Sequence, residues 1–164
     1  PHLSLYHLPV RPENFKKFTD ALDDAVRGFR GGDLQLREIS VRWIHRAVFL
    51  TTDKSQWLME LYRRVIKATF PFFDQNRREE IRARWGEMTP MMRRSFERYG
   101  SPMTGSDLVP HFTLGVFDRE EDFEASWSSQ LEVKHTGFHV DRVHVGLIGM
   151  PGFTCQGVIH EAAF

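Results

Sequence analysis

The sequence predicts an α+β fold made of two lobes that are related by an approximate internal twofold repeat. The first observation is the order strand, helix, strand, strand, which is predicted over about residues 1–53 and again over about 110–164. The second is a five-residue pattern, Pro-His-apolar-hydroxyl-Leu, which opens the two repeats as Pro1–Leu5 and Pro110–Leu114. We therefore expect one domain over residues 1–164, with a helical connector over about 54–109 and a central cleft.

The elements of the first repeat follow from its local patterns. A strand is expected at the first five-residue pattern. A helix follows, whose first turn suits Pro12 and Glu13 and whose end suits Gly31-Gly32. Residues 34–40 and 41–52 are then expected to form two strands, of which the second is more apolar.

The connector is predicted to be mainly helical. Ser55 can cap a helix whose apolar stripe ends before Pro71. Residues 72–109 are less regular, and we expect a short arginine-rich helix and another short helix on either side of Pro90.

The second repeat has the same order of elements as the first. Residues 110–117 predict a strand, and Asp118 with Glu121 resembles a capping box that opens a helix. The closing stretches 138–149 and 157–164 are strand-like.

The composition is that of a single soluble domain. The chain has 164 residues, of which 41% are hydrophobic and 27% charged, and its formal net charge is zero. No apolar stretch has transmembrane length and no signal segment is visible, so we expect a soluble, cytoplasmic protein without a membrane partner. The one cysteine, Cys155, fits a reducing compartment. Zero net charge gives little support for binding long duplex nucleic acid, and the sequence leaves the oligomeric state open.

Arginines crowd the connector. They are Arg77, Arg78, Arg82, Arg84, Arg93, Arg94 and Arg98. Such a run usually forms a solvated helix face, and the sharper alternative is a rim that attracts an anion.

The two five-residue patterns carry the residues best suited to chemistry. Because side chains alternate between the two faces of a strand, each histidine shares a face with the hydroxyl group two residues later. These pairs are His2 with Ser4 and His111 with Thr113. The residues expected on the opposite, packed face are Leu3, Leu5, Phe112 and Leu114. If the repeats pack about a twofold axis, both pairs line one cleft.

A cleft with two imidazoles and two hydroxyl groups suits a phosphodiester. A neutral imidazole can accept a proton from water or a sugar hydroxyl, and an imidazolium can donate one to the departing oxygen. Histidine ordinarily titrates near pH ~6.5, so one neutral and one charged copy can coexist near neutrality. The hydroxyl groups can donate hydrogen bonds to phosphate oxygens as charge builds. This scheme needs no metal, and which histidine is the acid depends on the orientation of the substrate.

The duplicated motif resembles that of the two-histidine (2H) phosphoesterase superfamily, which includes LigT-like 2'-5' RNA ligases and cyclic phosphodiesterases. The resemblance covers nearly the whole chain. It implies that His2 and His111 act as acid and base, with Ser4 and Thr113 as phosphate clamps. It also implies activity on 2',3'-cyclic phosphates or 2'-5' linkages without metal or cofactor, so the expected partner is a small nucleotide or an RNA end.

The sequence departs from the family pattern in three ways. The family usually has a strand before its first motif, so we expect either residues upstream of Pro1 or an unusually held N-terminus. The first motif has serine where threonine is commoner. Residues 72–109 are longer than the corresponding segment of compact members, which fits a lid or a specificity element.

Three further residues are candidates for substrate binding. Tyr6 is predicted on the strand face of His2 and Ser4, as either a cleft or base-stacking residue or a core tyrosine. Arg46 can point at phosphate or be an exposed strand arginine, and Tyr99 can cover a nucleobase or anchor a loop.

Two other classes of function stay open from the sequence. The first is a non-catalytic module that holds a nucleotide or an RNA end in the same cleft, and the second is a structural repeat that reflects only an ancient duplication. Catalysis is favoured, since simple anion binding needs donors such as arginine and not two acid/base groups in duplicate. The remaining histidines show no metal-ligand spacing, so a zinc hydrolase is a poor interpretation.

Overall fold

The computed structural model describes residues 2–42, 47–86, 88–102, 104–105, 108–117, 119, 121–122, 137–149 and 154–164. Over these residues the chain is a mixed α+β protein, as the sequence predicts. It divides into two compact units. The first unit comprises Pro1–Ser4, Gly31–Gln56 and Val109–Glu161, and the second comprises Leu5–Arg30, Trp57–Leu108 and Ala162–Phe164.

The first unit contains an antiparallel sheet of four strands. In chain order they are β1 (Gly32–Arg42), β2 (Ala47–Thr52), β3 (His111–Val116) and β4 (Gly137–Val140). Their order across the sheet is β3-β2-β1-β4, so the sheet combines two strands from each predicted repeat. Two further strands, β5 (Arg142–Gly149) and β6 (Thr154–Ala163), form a separate two-stranded sheet.

The four-stranded sheet is curled, which brings its two edge strands towards each other. Phe112 of β3 and Phe138 of β4 meet edge to face with ring centroids 5.5 Å apart. In a flat sheet, three strand spacings would separate these edges by about 14 Å. Leu34 and Thr52 are buried on the same face, so an apolar core lies on the side where the edges meet.

The second unit is helical. Its helices are α1 (Phe15–Val26), α2 (Gln56–Thr69), α3 (Arg78–Trp85) and α4 (Pro90–Tyr99). Apolar residues at helical spacing give α1 and α2 one buried face each. Tyr62 and Ile66 of α2 form a core cluster with Leu108. None of the helices in the described part of the chain is long and apolar enough to cross a bilayer.

The ends of α4 show how local chemistry sets a boundary. The Thr89 hydroxyl accepts a hydrogen bond from the Met92 amide at 3.2 Å, and Pro90 occupies the first turn. Gly100 ends the helix in the left-handed region, with φ of 69°. Pro90 therefore starts this helix, whereas the sequence predicted only that it separates two short helices.

Other predicted boundaries were wrong by several residues. The first helix ends at Val26, well before Gly31-Gly32. Gly28, two residues after this end, has a φ of 68°, which is not a helical conformation. The strand predicted over 34–40 runs from Gly32 to Arg42, and the strand predicted over 157–164 begins at Thr154. The stretch 138–149 is divided at Asp141 into β4 and β5. Most of the helix predicted after Asp118 lies outside the described residues. The duplicated, two-lobed arrangement and its cleft stay predictions.

Candidate active site

The first motif lies beside the second. Leu3 forms an antiparallel β-bridge with Phe112, the central residue of the second motif. No regular strand includes the first motif in the part of the chain that the structure describes, so the strand predicted there is reduced to this one bridge. His2 is exposed and Ser4 is half-buried.

The bridge determines which motif residues lie opposite one another. Because neighbours run in opposite directions in an antiparallel pair, a pairing continued from this bridge would put His2 opposite Thr113 and Ser4 opposite His111. Directly opposite residues project to the same face, with Cβ atoms about 4.5–5.5 Å apart, and diagonal neighbours are about 7–8 Å apart. The two histidines are one diagonal of this group, and the two hydroxyl residues are the other. The structure thus joins the two motifs at Leu3 and Phe112, and a regular continuation of that pairing would put the four predicted residues on one face.

The second motif belongs to a regular strand, β3, which is anchored on β2. Thr51 pairs with His111, Leu50 with Phe112, and Phe49 with Thr113. His111 is half-buried and Thr113 is exposed. Behind them, the Phe112 ring packs on Phe138, so the motif has polar residues on one face and an apolar anchor on the other.

A β-bulge follows the motif. Val48 pairs with Gly115 and the next residue, Phe49, pairs with Thr113, so Leu114 is the extra residue on β3. Leu114 was predicted to pack behind the motif, and this prediction was wrong, because its side chain is 48% exposed. The bulge interrupts the alternation that the prediction assumed.

Two contacts hold the imidazole of His111. Its Nδ1 lies 2.6 Å from the Val109 carbonyl oxygen. Because a carbonyl can only accept, Nδ1 carries the proton and donates it, which leaves Nε2 as the nitrogen that can exchange a proton with a ligand. On the same face, the Phe49 ring packs against the imidazole with centroids 4.3 Å apart and planes tilted by 54°.

Phe49 and Val109 are the site residues that sequence reasoning missed. Phe49 is one of several apolar residues in β2, and only the strand register shows that it faces His111. Val109 acts through its backbone, which no side-chain pattern reports. The only sequence signal for Val109 is its position, two residues before the motif histidine.

Tyr6 and Tyr99 belong to the second unit, and they contact each other there. The Tyr6 hydroxyl donates a hydrogen bond to the Tyr99 carbonyl oxygen. Both rings pack against the core cluster of Tyr62, Ile66 and Leu108. Burial, followed by the nearby Tyr62 phenol, raises the pKa of Tyr6 well above its ordinary value. These contacts favour the core interpretation of Tyr6 and the anchoring interpretation of Tyr99. Arg46 lies outside the described residues.

Five of the seven arginines noted in the connector form two groups. Arg78 and Arg82 both bind the Glu97 carboxylate, and both guanidinium groups also lie over the Phe96 ring. This group links α3 to α4 and has a structural explanation. Arg93, Arg94 and Arg98 are exposed on α4, where Arg98 lies 5.1 Å from the Tyr99 ring centroid.

Two other exposed histidines are paired with carboxylates. His139 Nδ1 lies 2.8 Å from Asp33, and His144 Nε2 lies 2.8 Å from Glu161. Cys155 is exposed and lies near the Gly157 carbonyl oxygen. Over the described residues, no group of three or more His, Cys, Asp or Glu side chains is arranged to hold a metal ion.

The chain was also compared with known proteins. No protein-family model matches it, and no curated protein is significantly similar to it.

Proposed function

We propose that this chain is a metal-independent phosphoesterase that acts on a small RNA-related phosphodiester, either a 2',3'-cyclic phosphate or a 2'-5' linkage. The observation that carries the proposal is the Leu3–Phe112 bridge. It joins the two His-x-hydroxyl motifs in opposite directions, and the same register continued by one residue on each side would put all four polar side chains on one face. The resemblance of the same motifs to those of the 2H phosphoesterase superfamily also supports the proposal.

The dimensions of this group suit one phosphate. Within each motif the histidine and the hydroxyl residue are two positions apart, which is about 7 Å in extended backbone. With the register of the bridge continued, His2 faces Thr113 and Ser4 faces His111, and directly opposite residues of a regular pair have Cβ atoms about 4.5–5.5 Å apart. A phosphate above the centre can therefore accept hydrogen bonds from both hydroxyl groups while an imidazole stands on either side of it.

The reaction divides the work between the two imidazoles. For a cyclic phosphate, one neutral ring accepts a proton from water while the water oxygen forms a bond to phosphorus. The bond from phosphorus to one ribose oxygen breaks, and the other ring, as imidazolium, donates its proton to that oxygen. Ser4 and Thr113 donate hydrogen bonds to the non-bridging oxygens, where negative charge increases in the transition state. The product is a phosphomonoester, and both rings regain their starting states by exchange with water.

The tautomer of His111 fits either role. Its Nδ1 is engaged by the Val109 carbonyl, so Nε2 is the nitrogen that accepts the proton or, when protonated, donates it. The assignment of acid and base between His2 and His111 therefore follows the orientation of the substrate.

Single substitutions of the two histidines test the proposal. His2→Ala and His111→Ala should each lower the turnover of a 2',3'-cyclic nucleotide by about 10²- to 10⁴-fold, the usual contribution of a general acid or base. Prior incubation with EDTA should leave the wild-type rate unchanged. His144→Ala is the matched control, because it removes an exposed histidine of the same unit that pairs with Glu161 and lies outside both motifs.

The outcomes separate the proposal from its rival. Full turnover in either motif variant, with circular dichroism showing a folded protein, would end the proposal. Tight binding of the nucleotide without turnover in the wild type would instead identify a binding module.

A further inference from the structure

The imidazole of His111 is held more closely than the proposed chemistry alone requires. One ring nitrogen is engaged by a backbone carbonyl, and the ring packs against an aromatic side chain from the neighbouring strand. Each contact limits a different motion. The hydrogen bond limits rotation that would exchange the two nitrogens, and the packing limits displacement of the ring.

The strand register makes the aromatic contact possible. Phe49 pairs with Thr113, and Thr51 pairs with His111, so Phe49 is a diagonal neighbour of the histidine on the same face. This alignment exists only because Leu114 is bulged out of the pairing. If the register from Val48–Gly115 continued without the bulge, Phe49 would pair with Leu114 and the histidine would face the other side.

The geometry points to Phe49 as a positioning residue that, with the Val109 carbonyl, holds His111 as the Nδ1–H tautomer and presents Nε2 to the substrate. In water the Nε2–H tautomer of a histidine side chain predominates, so the protein must reverse this preference. The hydrogen bond of His111 to Val109, at 2.6 Å, supplies the required bias, of about fivefold or more. Phe49 maintains the ring orientation in which that hydrogen bond forms.

Nitrogen-15 NMR measures this arrangement without reference to activity. At a pH where imidazoles are neutral, the protonated and unprotonated ring nitrogens have well-separated chemical shifts. The resonances that disappear in His111→Gln are those of His111. We expect wild-type His111 to be protonated at Nδ1. In Phe49→Ala the two tautomers should become comparably populated. If Phe49→Ala does not fold, Phe49→Leu keeps most of the apolar volume, removes the aromatic ring and tests the same contact.

Activity provides a second measurement, which depends on the proposed function. Phe49→Ala should lower kcat about 10- to 100-fold with little change in KM, because a misplaced general acid or base affects the chemical step more than binding. Phe49→Tyr keeps the ring and should restore kcat. Phe138→Ala is the packing control, because it removes an aromatic contact from the opposite face of β3 without contact to His111.

The outcomes are distinguishable from failure of the phosphoesterase proposal. A wild-type Nδ1–H tautomer in a protein that turns over no phosphodiester would end that proposal and leave the positioning inference intact. A wild-type Nε2–H tautomer would overturn the inference. It would also be overturned by unchanged tautomer populations in Phe49→Ala, or by an equal shift in Phe138→Ala.

Discussion

Replacing Thr113 with valine tests whether the hydroxyl group opposite His2 acts on the substrate. Valine has nearly the same shape as threonine and an equally high preference for strands. Thr113 is exposed on β3, so no buried hydrogen-bond partner is left unpaired by the change. The free energy of unfolding should therefore change by less than about 0.5 kcal/mol.

The expected loss of activity follows from the charge of the partner. A hydrogen bond to a charged group contributes about 1.5–3 kcal/mol. If Thr113 donates to a phosphate oxygen mainly in the transition state, its removal should lower kcat/KM by about 10- to 160-fold. The same substitution in a protein that uses Thr113 only as a surface strand residue should have no measurable effect on the rate.

The assay is steady-state hydrolysis of a 2',3'-cyclic nucleotide, with thermal unfolding measured on the same samples. Thr113→Ser is the matched control, because it keeps the hydroxyl group, removes a methyl group and reproduces the residue found in the first motif. It should retain activity within a few-fold. A Thr113→Val rate within threefold of wild type, or an equal loss in Thr113→Ser, would refute the role assigned to this hydroxyl group.

Two further predictions concern the second unit. Gly100→Ala should lower the midpoint of thermal unfolding more than Gly28→Ala, since both glycines have positive φ but only at position 100 would the new Cβ lie 2.8 Å from the Phe73 ring. Equal losses would show that the Phe73 ring moves aside without cost. The free energy of unfolding should also fall above about pH 10, because burial raises the pKa of Tyr6 in the folded protein, so the unfolded chain loses this proton first. When the free energy of unfolding is measured by chemical denaturation at several pH values, Tyr6→Phe should show a smaller decline above pH ~10. The same decline in the variant and the wild type would contradict this prediction.

Helices were predictable where one buried face and a boundary residue occur together. The helix after Ser55 was expected to end before Pro71, and α2 ends at Thr69. The apolar stripe determines the buried face, and proline prevents continuation of the regular hydrogen-bond ladder. The first helix was predicted to extend too far, since Gly31-Gly32 looked like its end. The helix in fact ends at Val26, close to Gly28 with its positive φ. The Gly31-Gly32 pair further along the chain was the more obvious end signal in the sequence.

Strand pairing was much harder to predict. Period-2 alternation shows which residues of one strand share a face, but it says nothing about which strand lies alongside. The sequence therefore supported two repeats but did not show that β3 pairs with β2, or that β4 pairs with β1. Tyr6 illustrates the same limit at short range. It was placed on the face of His2 and Ser4 by assuming continuous alternation, whereas Ser4 and Tyr6 belong to different compact units.

The site could be predicted as a set of residues but not as a geometry. The repeated motif predicts His2, Ser4, His111 and Thr113, and the Leu3–Phe112 bridge joins its two copies. What alternation could not supply is the single-residue bulge at Leu114, which fixes that face relative to β2. Without it, His111 and Thr113 would project with Leu50 towards the side on which Leu34 and Thr52 are buried. A residue that carries no chemistry thus decides which face of the sheet the second motif occupies, and the residue types of the motif do not reveal this.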